Sequence, residues 1–282
     1  MKRTNSLSNA FALAAFAALA LGYLMVAGRA HVASAAPLAA TAPQSGNEWR
    51  WHEPLAAGRV LEIKGVNGNV EATPSSSGEV EVVAVKSSRR SNPDEVRIEV
   101  VRHSEGVTIC AVYPNVGRDS NTCEPGQRGH MNVRNNDTEV SFTVRVPSGV
   151  RFNGRTVNGR VEANNLTADV EATTVNGDVE VTTTGLARAK TVNGSITAVM
   201  GNASWTDDLE FKTVNGSIDV TMPASLSAEV EVKTLNGEIS SDFPLTVRGT
   251  FSRRHMSGTI GGGGRALQLE TVNGSVNIRR AS

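Results

Sequence analysis

Thr156-Val157-Asn158-Gly159 returns at Thr174–Gly177, Thr191–Gly194, Thr213–Gly216 and Thr271–Gly274, with a leucine variant, Thr234-Leu235-Asn236-Gly237, and an outlier, Gly65-Val66-Asn67-Gly68. About six residues before each asparagine stands an apolar residue: Leu61, Val170, Leu186, Leu209, Val230 and Leu267, with Phe152 as the best fit in the second copy. Three residues after it stand Val70, Val161, Val179, Ile196, Ile218, Ile239 and Val276. Both flanks alternate apolar with polar, as in Leu209-Glu210-Phe211-Lys212, which is the period of a half-buried strand. Each repeat therefore reads as strand, corner, strand.

The parity of the apolar positions switches across the asparagine. A straight strand cannot do this, because a one-residue slip turns every side chain to the other face, so a turn or bulge must fall within Thr-Val-Asn-Gly. Asn-Gly is also a strong hairpin signal, and a meander of separate hairpins competes with this reading. Spacing decides between them: successive asparagines from Asn158 lie 18, 17, 22, 21 and 37 residues apart, the last gap splitting in two if Met256-Ser257-Gly258-Thr259-Ile260 is a degenerate copy. Near-constant periods with one corner chemistry point to an all-β, single-chain β-solenoid of about seven or eight short coils. In such a stack Asn67, Asn158, Asn176, Asn193, Asn215, Asn236 and Asn273 form a corner ladder, each coil about 4.8 Å above the last and the side-chain amides linked.

The rest of the chain fits around this stack. Lys2 and Arg3 precede an apolar run from Ala10 to Ala27, and Ala33-Ser34-Ala35 offers a small-residue cleavage site, so residues 1–36 read as a secretory signal peptide. Retention of the run as an anchor is the competing reading. Residues 37–57 read as a flexible leader rich in Ala, Pro and Ser, and 58–280 as the solenoid domain. Within it, 148–280 carry the repeat coils. Residues 74–147 form an insert whose alternating runs at Glu79 to Val85, Glu95 to Val101, Val107 to Val112 and Glu139 to Val146 predict an antiparallel section covering the N-terminal end of the stack. Trp49 and Trp51 are expected to pack at that end.

The two cysteines, Cys110 and Cys123, stand just before and within a polar segment from Tyr113 to Thr138. In an exported chain they most simply form a disulfide, worth on the order of 3 kcal/mol. With His103 and His130 nearby, a Cys2His2 metal site is the alternative, although the spacing lacks a Cys-x-x-Cys pair. A long irregular segment of this kind is the first place to look for a partner contact.

Chemistry-bearing motifs are scarce. Gly-x-Ser-x-Gly, His-Glu-x-x-His, phosphate-binding and calcium-loop patterns are all missing, and Gly261 to Gly264 lie between strand-like segments rather than before a helix. Asp207, Asp208 and Glu210 beside Trp205 are the best carboxylate cluster, though adjacent aspartates in a connection more often make a solvated turn. Arg253, Arg254 and His255 make a small basic patch. With Lys2, Arg3 and Arg29 in the signal, 25 Lys plus Arg face 28 Asp plus Glu, a net charge near −3 that does not favour nucleic acid.

The signal peptide, the strand-rich front ending in Val144-Arg145-Val146-Pro147-Ser148-Gly149-Val150 and the repeated Thr-Val-Asn-Gly-x-Val resemble the bacterial "putative adhesin" family of envelope domains, over roughly Val60 to Ile278. The resemblance implies a β-solenoid on exported or envelope proteins, some relatives being tied to envelope-stress sensing, and supplies no functional residues to carry over. The expectation is a monomeric, non-enzymatic binding or scaffold module of the periplasm or cell surface. It has no cofactor, metal, nucleic-acid partner or lasting membrane insertion, and its partner is a surface polysaccharide or an envelope protein. The alternatives are a polysaccharide-processing β-helix enzyme and a sensory or structural domain without a ligand.

Overall fold

The computed structural model describes residues 47–118, 120–127, 129–206, 208–247 and 254–282, all within the compact unit Leu38–Ser282. The expected signal peptide, residues 1–36, and the leader to residue 46 lie outside the described residues.

Strand β1 (Glu48–Pro54) precedes the first coil, β2 (Val60–Lys64) and β3 (Val70–Pro74). The insert supplies β4 (Glu79–Ser87), β5 (Arg97–His103), β6 (Gly106–Val112) and β7 (Glu139–Val146). Four coils follow: β8 (Arg151–Arg155) with β9 (Val161–Leu166), β10 (Val170–Thr173) with β11 (Val179–Thr183), β12 (Ala187–Lys190) with β13 (Ile196–Met200), and β14 (Leu209–Lys212) with β15 (Ile218–Met222). The chain ends with β16 (Ala228–Lys233), β17 (Ile239–Ser241), β18 (Leu245–Val247), β19 (His255–Ile260), β20 (Ala266–Glu270) and β21 (Val276–Arg280).

These strands form two sheets. The first runs β1-β4-β7-β3-β9-β11-β13-β15-β21-β17 and the second β18-β19-β16-β20-β14-β12-β10-β8-β2-β6-β5. The strand before each corner lies in the second sheet and the strand after it in the first, so the corner carries the chain from one sheet to the other. This is why the parity of the apolar positions switches there. Coil pairs with coil in parallel and in register, for example Val179 beside Ile196 and Ile196 beside Ile218. The inward rows, among them Leu61, Phe152, Val170, Leu209 and Phe211 from one sheet and Val161, Val179, Ile196 and Ile218 from the other, make one continuous buried core.

Several expectations need correction. Residues Glu48–Pro54 are not leader: they pair antiparallel with β4 and bury Trp49 and Trp51. The insert is mixed rather than antiparallel, since β7 joins β3 and β6 joins β2 in parallel, and only the outer pairs β4/β7, β1/β4 and β5/β6 are antiparallel. In the third repeat coil the inner residue is Ala187, which stands beside Val170, and Leu186 is buried one place earlier in the connection. Met256–Ile260 is not a coil but part of β19, which runs antiparallel to β16 and covers that end of the second sheet.

Nor do the coils all stack in chain order. β20 inserts between β14 and β16, and β21 between β15 and β17, so the last coil in sequence is the second-to-last in space. A parallel rung needs only a matching neighbour, and the copies around Asn236 and Asn273 offer the same one.

Candidate functional site

The corner is the repeating unit of the surface. The seven asparagines form a chain of bridges in the order Asn67, Asn158, Asn176, Asn193, Asn215, Asn273, Asn236. Asn67 Nδ2 donates to the Thr138 carbonyl, and every later Nδ2 donates to the Oδ1 of the rung before: Asn158 to Asn67 at 2.8 Å, Asn176 to Asn158 at 2.7 Å, Asn193 to Asn176 at 2.8 Å, and Asn215 to Asn193, Asn273 to Asn215 and Asn236 to Asn273 all at 2.7 Å. From Asn158 onward these amides are exposed. Each therefore keeps a second N–H and further lone pairs turned outward.

Beneath this outer ladder lies one that the sequence reading missed. The threonine of each motif is buried, and its hydroxyl donates to the glycine carbonyl of the rung before: Thr174 to Gly159 at 2.8 Å, Thr191 to Gly177 at 2.9 Å and Thr213 to Gly194 at 2.8 Å. The glycine is required by close approach. A Cβ on Gly177 would stand 2.1 Å from the carbonyl oxygen of Gly159, and one on Gly194 1.9 Å from that of Gly177.

At the N-terminal end the first two corners open into a groove of about 650 Å³, bounded across from them by residues of the segment between Tyr113 and Thr138, chiefly those after Cys123. The two cysteines are bridged, with Cα atoms 5.7 Å apart. Bridged sulfurs are not thiolate ligands, so the Cys2His2 alternative falls; among the described residues no three His, Cys, Asp or Glu side chains are grouped to hold a metal. His103 Nε2 instead lies 3.2 Å from Thr108 Oγ1, and His130 lines the groove.

The segment is organised by buried Asn121, whose Nδ2 donates to the carbonyls of Tyr113, Pro114 and Asn132 while its Oδ1 accepts the Asn132 amide at 2.6 Å. Tyr113 donates its hydroxyl to the Thr138 carbonyl at 2.6 Å, and burial pushes this phenol up to about 12. At the far end the Asp137 carboxylate accepts the amides of Ser91 and Arg90, which hold it down at about 2.

Under the groove lie three charged residues that the alternation places on the outer face of the second sheet. Glu62 is buried. Its Oε2 accepts from Thr108 Oγ1 and from the Gly126 amide, both at 2.9 Å, and its Oε1 faces Arg155 Nε at 3.4 Å. Arg155 also reaches Glu171 at 2.8 Å, and Lys64 Nζ donates to the carbonyls of Glu124 and Gly126. A buried charge is tolerable only when paired and hydrogen-bonded, and these contacts tie the segment to the first two coils. Above them the groove presents Val66, Met131, Val133 and Val157 beside the amides of Asn67, Asn136 and Asn158.

Among the described residues the carboxylate cluster forms no catalytic pair. Asp207 lies outside the described residues, and Asp208 is exposed. Burial alone would raise the pKa of Glu210, but hydrogen bonds from Lys190 and Lys212 outweigh it and bring it below its ordinary value. Trp205 is buried and donates Nε1–H to the Ala266 carbonyl at 3.1 Å. Of the basic patch, Arg253 lies outside the described residues, and His255 faces Glu231 at 3.7 Å.

The profile of a family described as Toastrack DUF4097 matches residues 61–279. No curated protein gives a significant match. Among solved structures the chain is similar to a "putative cell adhesion protein" of Clostridium sporogenes ATCC 15579, at 10% identity and a TM-score of 0.42, over 83% of this chain and 100% of that one. It is also similar to a "putative adhesin" of Bacteroides fragilis NCTC 9343, at 15% identity and a TM-score of 0.36, over 83% of this chain and 98% of that one. Neither likeness is close enough to bear on what this chain does.

Proposed function

The chain belongs to the Toastrack DUF4097 family, and on that premise we propose that it is an exported, non-enzymatic binding module of the cell envelope whose contact site is the groove beside the first two corners. The observation that carries this reading is the groove itself: apolar Val66, Met131, Val133 and Val157 stand beside Asn67 and Asn158, the first rungs of the amide row. An extended polymer with C–H faces and hydroxyls, such as an envelope polysaccharide, finds apolar contact in the groove and repeated donors and acceptors beyond it. Contacts of this kind are individually weak and act together over several rungs.

A catalyst needs unlike groups converging on one point with a perturbed titrating member. The rows here repeat like on like, and the buried charge of Glu62, facing Arg155, joins elements of the scaffold. The test is retention of the purified domain on immobilised cell-wall and extracellular polysaccharides, scored together with the release of new chain ends. Retention without new ends is expected, falling at least about tenfold in Val157→Asp, at an exposed position, with the melting temperature unchanged. Chain-end release abolished by Asp208→Asn would establish the enzyme instead. Failure to retain any polysaccharide or envelope protein would leave a scaffold without a ligand.

A further inference from the structure

Every corner carries an Asn-Gly pair, the sequence in which an unhindered glycine nitrogen most readily attacks the preceding side-chain amide. The fold restrains six of the seven. In each of these the glycine N–H donates to the asparagine carbonyl of the next rung: Gly68 to Asn158, Gly159 to Asn176, Gly177 to Asn193, Gly194 to Asn215 and Gly216 to Asn273, all at 2.9 Å, and Gly274 to Asn236 at 3.0 Å. Their side chains are also held on both sides, donating through Nδ2 and accepting through Oδ1. Asn236 is the last rung. Its Nδ2 donates to Asn273, but among the described residues its Oδ1 accepts nothing and the Gly237 N–H has no acceptor. Asn236 is exposed, and its neighbour Leu235 is 43% exposed.

We propose that Asn236 is a self-modification site, the one corner asparagine that converts spontaneously to aspartate and isoaspartate in the folded protein. The Gly237 nitrogen attacks Asn236 Cγ and gives up its proton to water, the Cγ–Nδ2 bond breaks, and ammonia leaves a five-membered imide. Water then opens either imide C–N bond, giving aspartyl or isoaspartyl product with no oxidant or further reactant. The change removes the Nδ2–H that reaches Asn273 and places a carboxylate against the Asn273 oxygen. The isoaspartyl product also lengthens the backbone at a corner where a Cβ on Gly237 would already stand 1.9 Å from the Gly274 carbonyl oxygen. The terminal rung loosens while the rungs below it are untouched.

The experiment is to hold the purified full chain folded at mildly alkaline pH in heavy-oxygen water and follow each Asn-Gly peptide by mass spectrometry, with a parallel sample in denaturant. In the folded sample the Asn236 peptide should gain heavy oxygen at least about tenfold faster than those of Asn176, Asn193 and Asn215, the factor expected for a bond that must open before attack. In denaturant the rates should converge. Equal rates in the folded sample, or an Asn236 peptide that converts in denaturant and not when folded, would overturn the assignment.

Discussion

At the scale of the residue, the corner motif separates into three jobs that differ in burial, and burial decides what each substitution costs. Thr191 is 5% exposed and donates to the Gly177 carbonyl. Thr191→Val keeps the shape and leaves that carbonyl without its partner, which should cost about 1–3 kcal/mol. Asn193 also makes two ladder bonds, but in the open, where water can replace them, so Asn193→Ala should cost about 1 kcal/mol or less. Urea denaturation of both variants checks the order, and a costlier asparagine change would mean that the ladder, not the threonine row, holds the corner. Gly177→Ala is a third case, because the added carbon must displace the Gly159 backbone. It should destabilise far more than Gly78→Ala, where nothing lies within 4 Å. Sequence alone ranks these positions equally, since all recur with the motif; only the direction in which each side chain points distinguishes them.

At the scale of the element, the segment between Tyr113 and Thr138 is held by polar contacts that no periodicity announces. Glu62, Lys64 and Arg155 sit at outward positions of their strands, and the alternation that located the core assigns them to solvent. They leave it because the segment folds over them, through the Gly126 amide to Glu62 and the Lys64 ammonium to two carbonyls. Asn121 carries no sequence signal either, because its three carbonyl partners are irregular backbone. The strands were legible because burial imposes a period of two; the segment stood out by its length and polarity, but the groove it forms was not legible, because a loop's hydrogen bonds impose no period. The pH response follows from Tyr113. Its folded-state pKa, about 12, lies above the ordinary value near 10, so its contribution is fully present below about pH 10 and is lost as pH rises toward 12. The folded state then holds a proton that the unfolded state has released, and stability should fall by on the order of 2–3 kcal/mol across that window. Comparing wild type with Tyr113→Phe by denaturant titration at pH 9 and 11 checks this, the variant losing less over the same interval. Reduction of Cys110–Cys123, which releases a loop of sequence separation 13, should cost about 3 kcal/mol and weaken retention on polysaccharide with it.

At the scale of the whole stack, the placement of the last coil sets the order of assembly. In a solenoid that grows in chain order, removing the C-terminal coil strips only the outermost layer and leaves the rest capped by what preceded it. Here β20 and β21 lie inside, between β14 and β16 in one sheet and between β15 and β17 in the other. The unit from Ala228 to Ile260 therefore reaches the stack through residues that follow it in sequence. The Leu235 variant of the motif falls on the outermost rung, whereas the valine of the next copy, Val272, donates its amide to Val214 and accepts from Asn236. A chain truncated after Gly264 leaves two outcomes: either β16 and β17 take the vacant place on β14 and β15, as the equivalence of the motifs allows, or they remain undocked. Docking on β14 would set Val230 and Val232 where Leu267 and Leu269 pack, with too little side-chain volume to fill the gap left in the core. The undocked outcome is therefore expected: hydrogen exchange should show protection lost over residues 228–260 and kept over 161–200, whereas protection retained throughout would show that the rungs are interchangeable in space as well as in sequence.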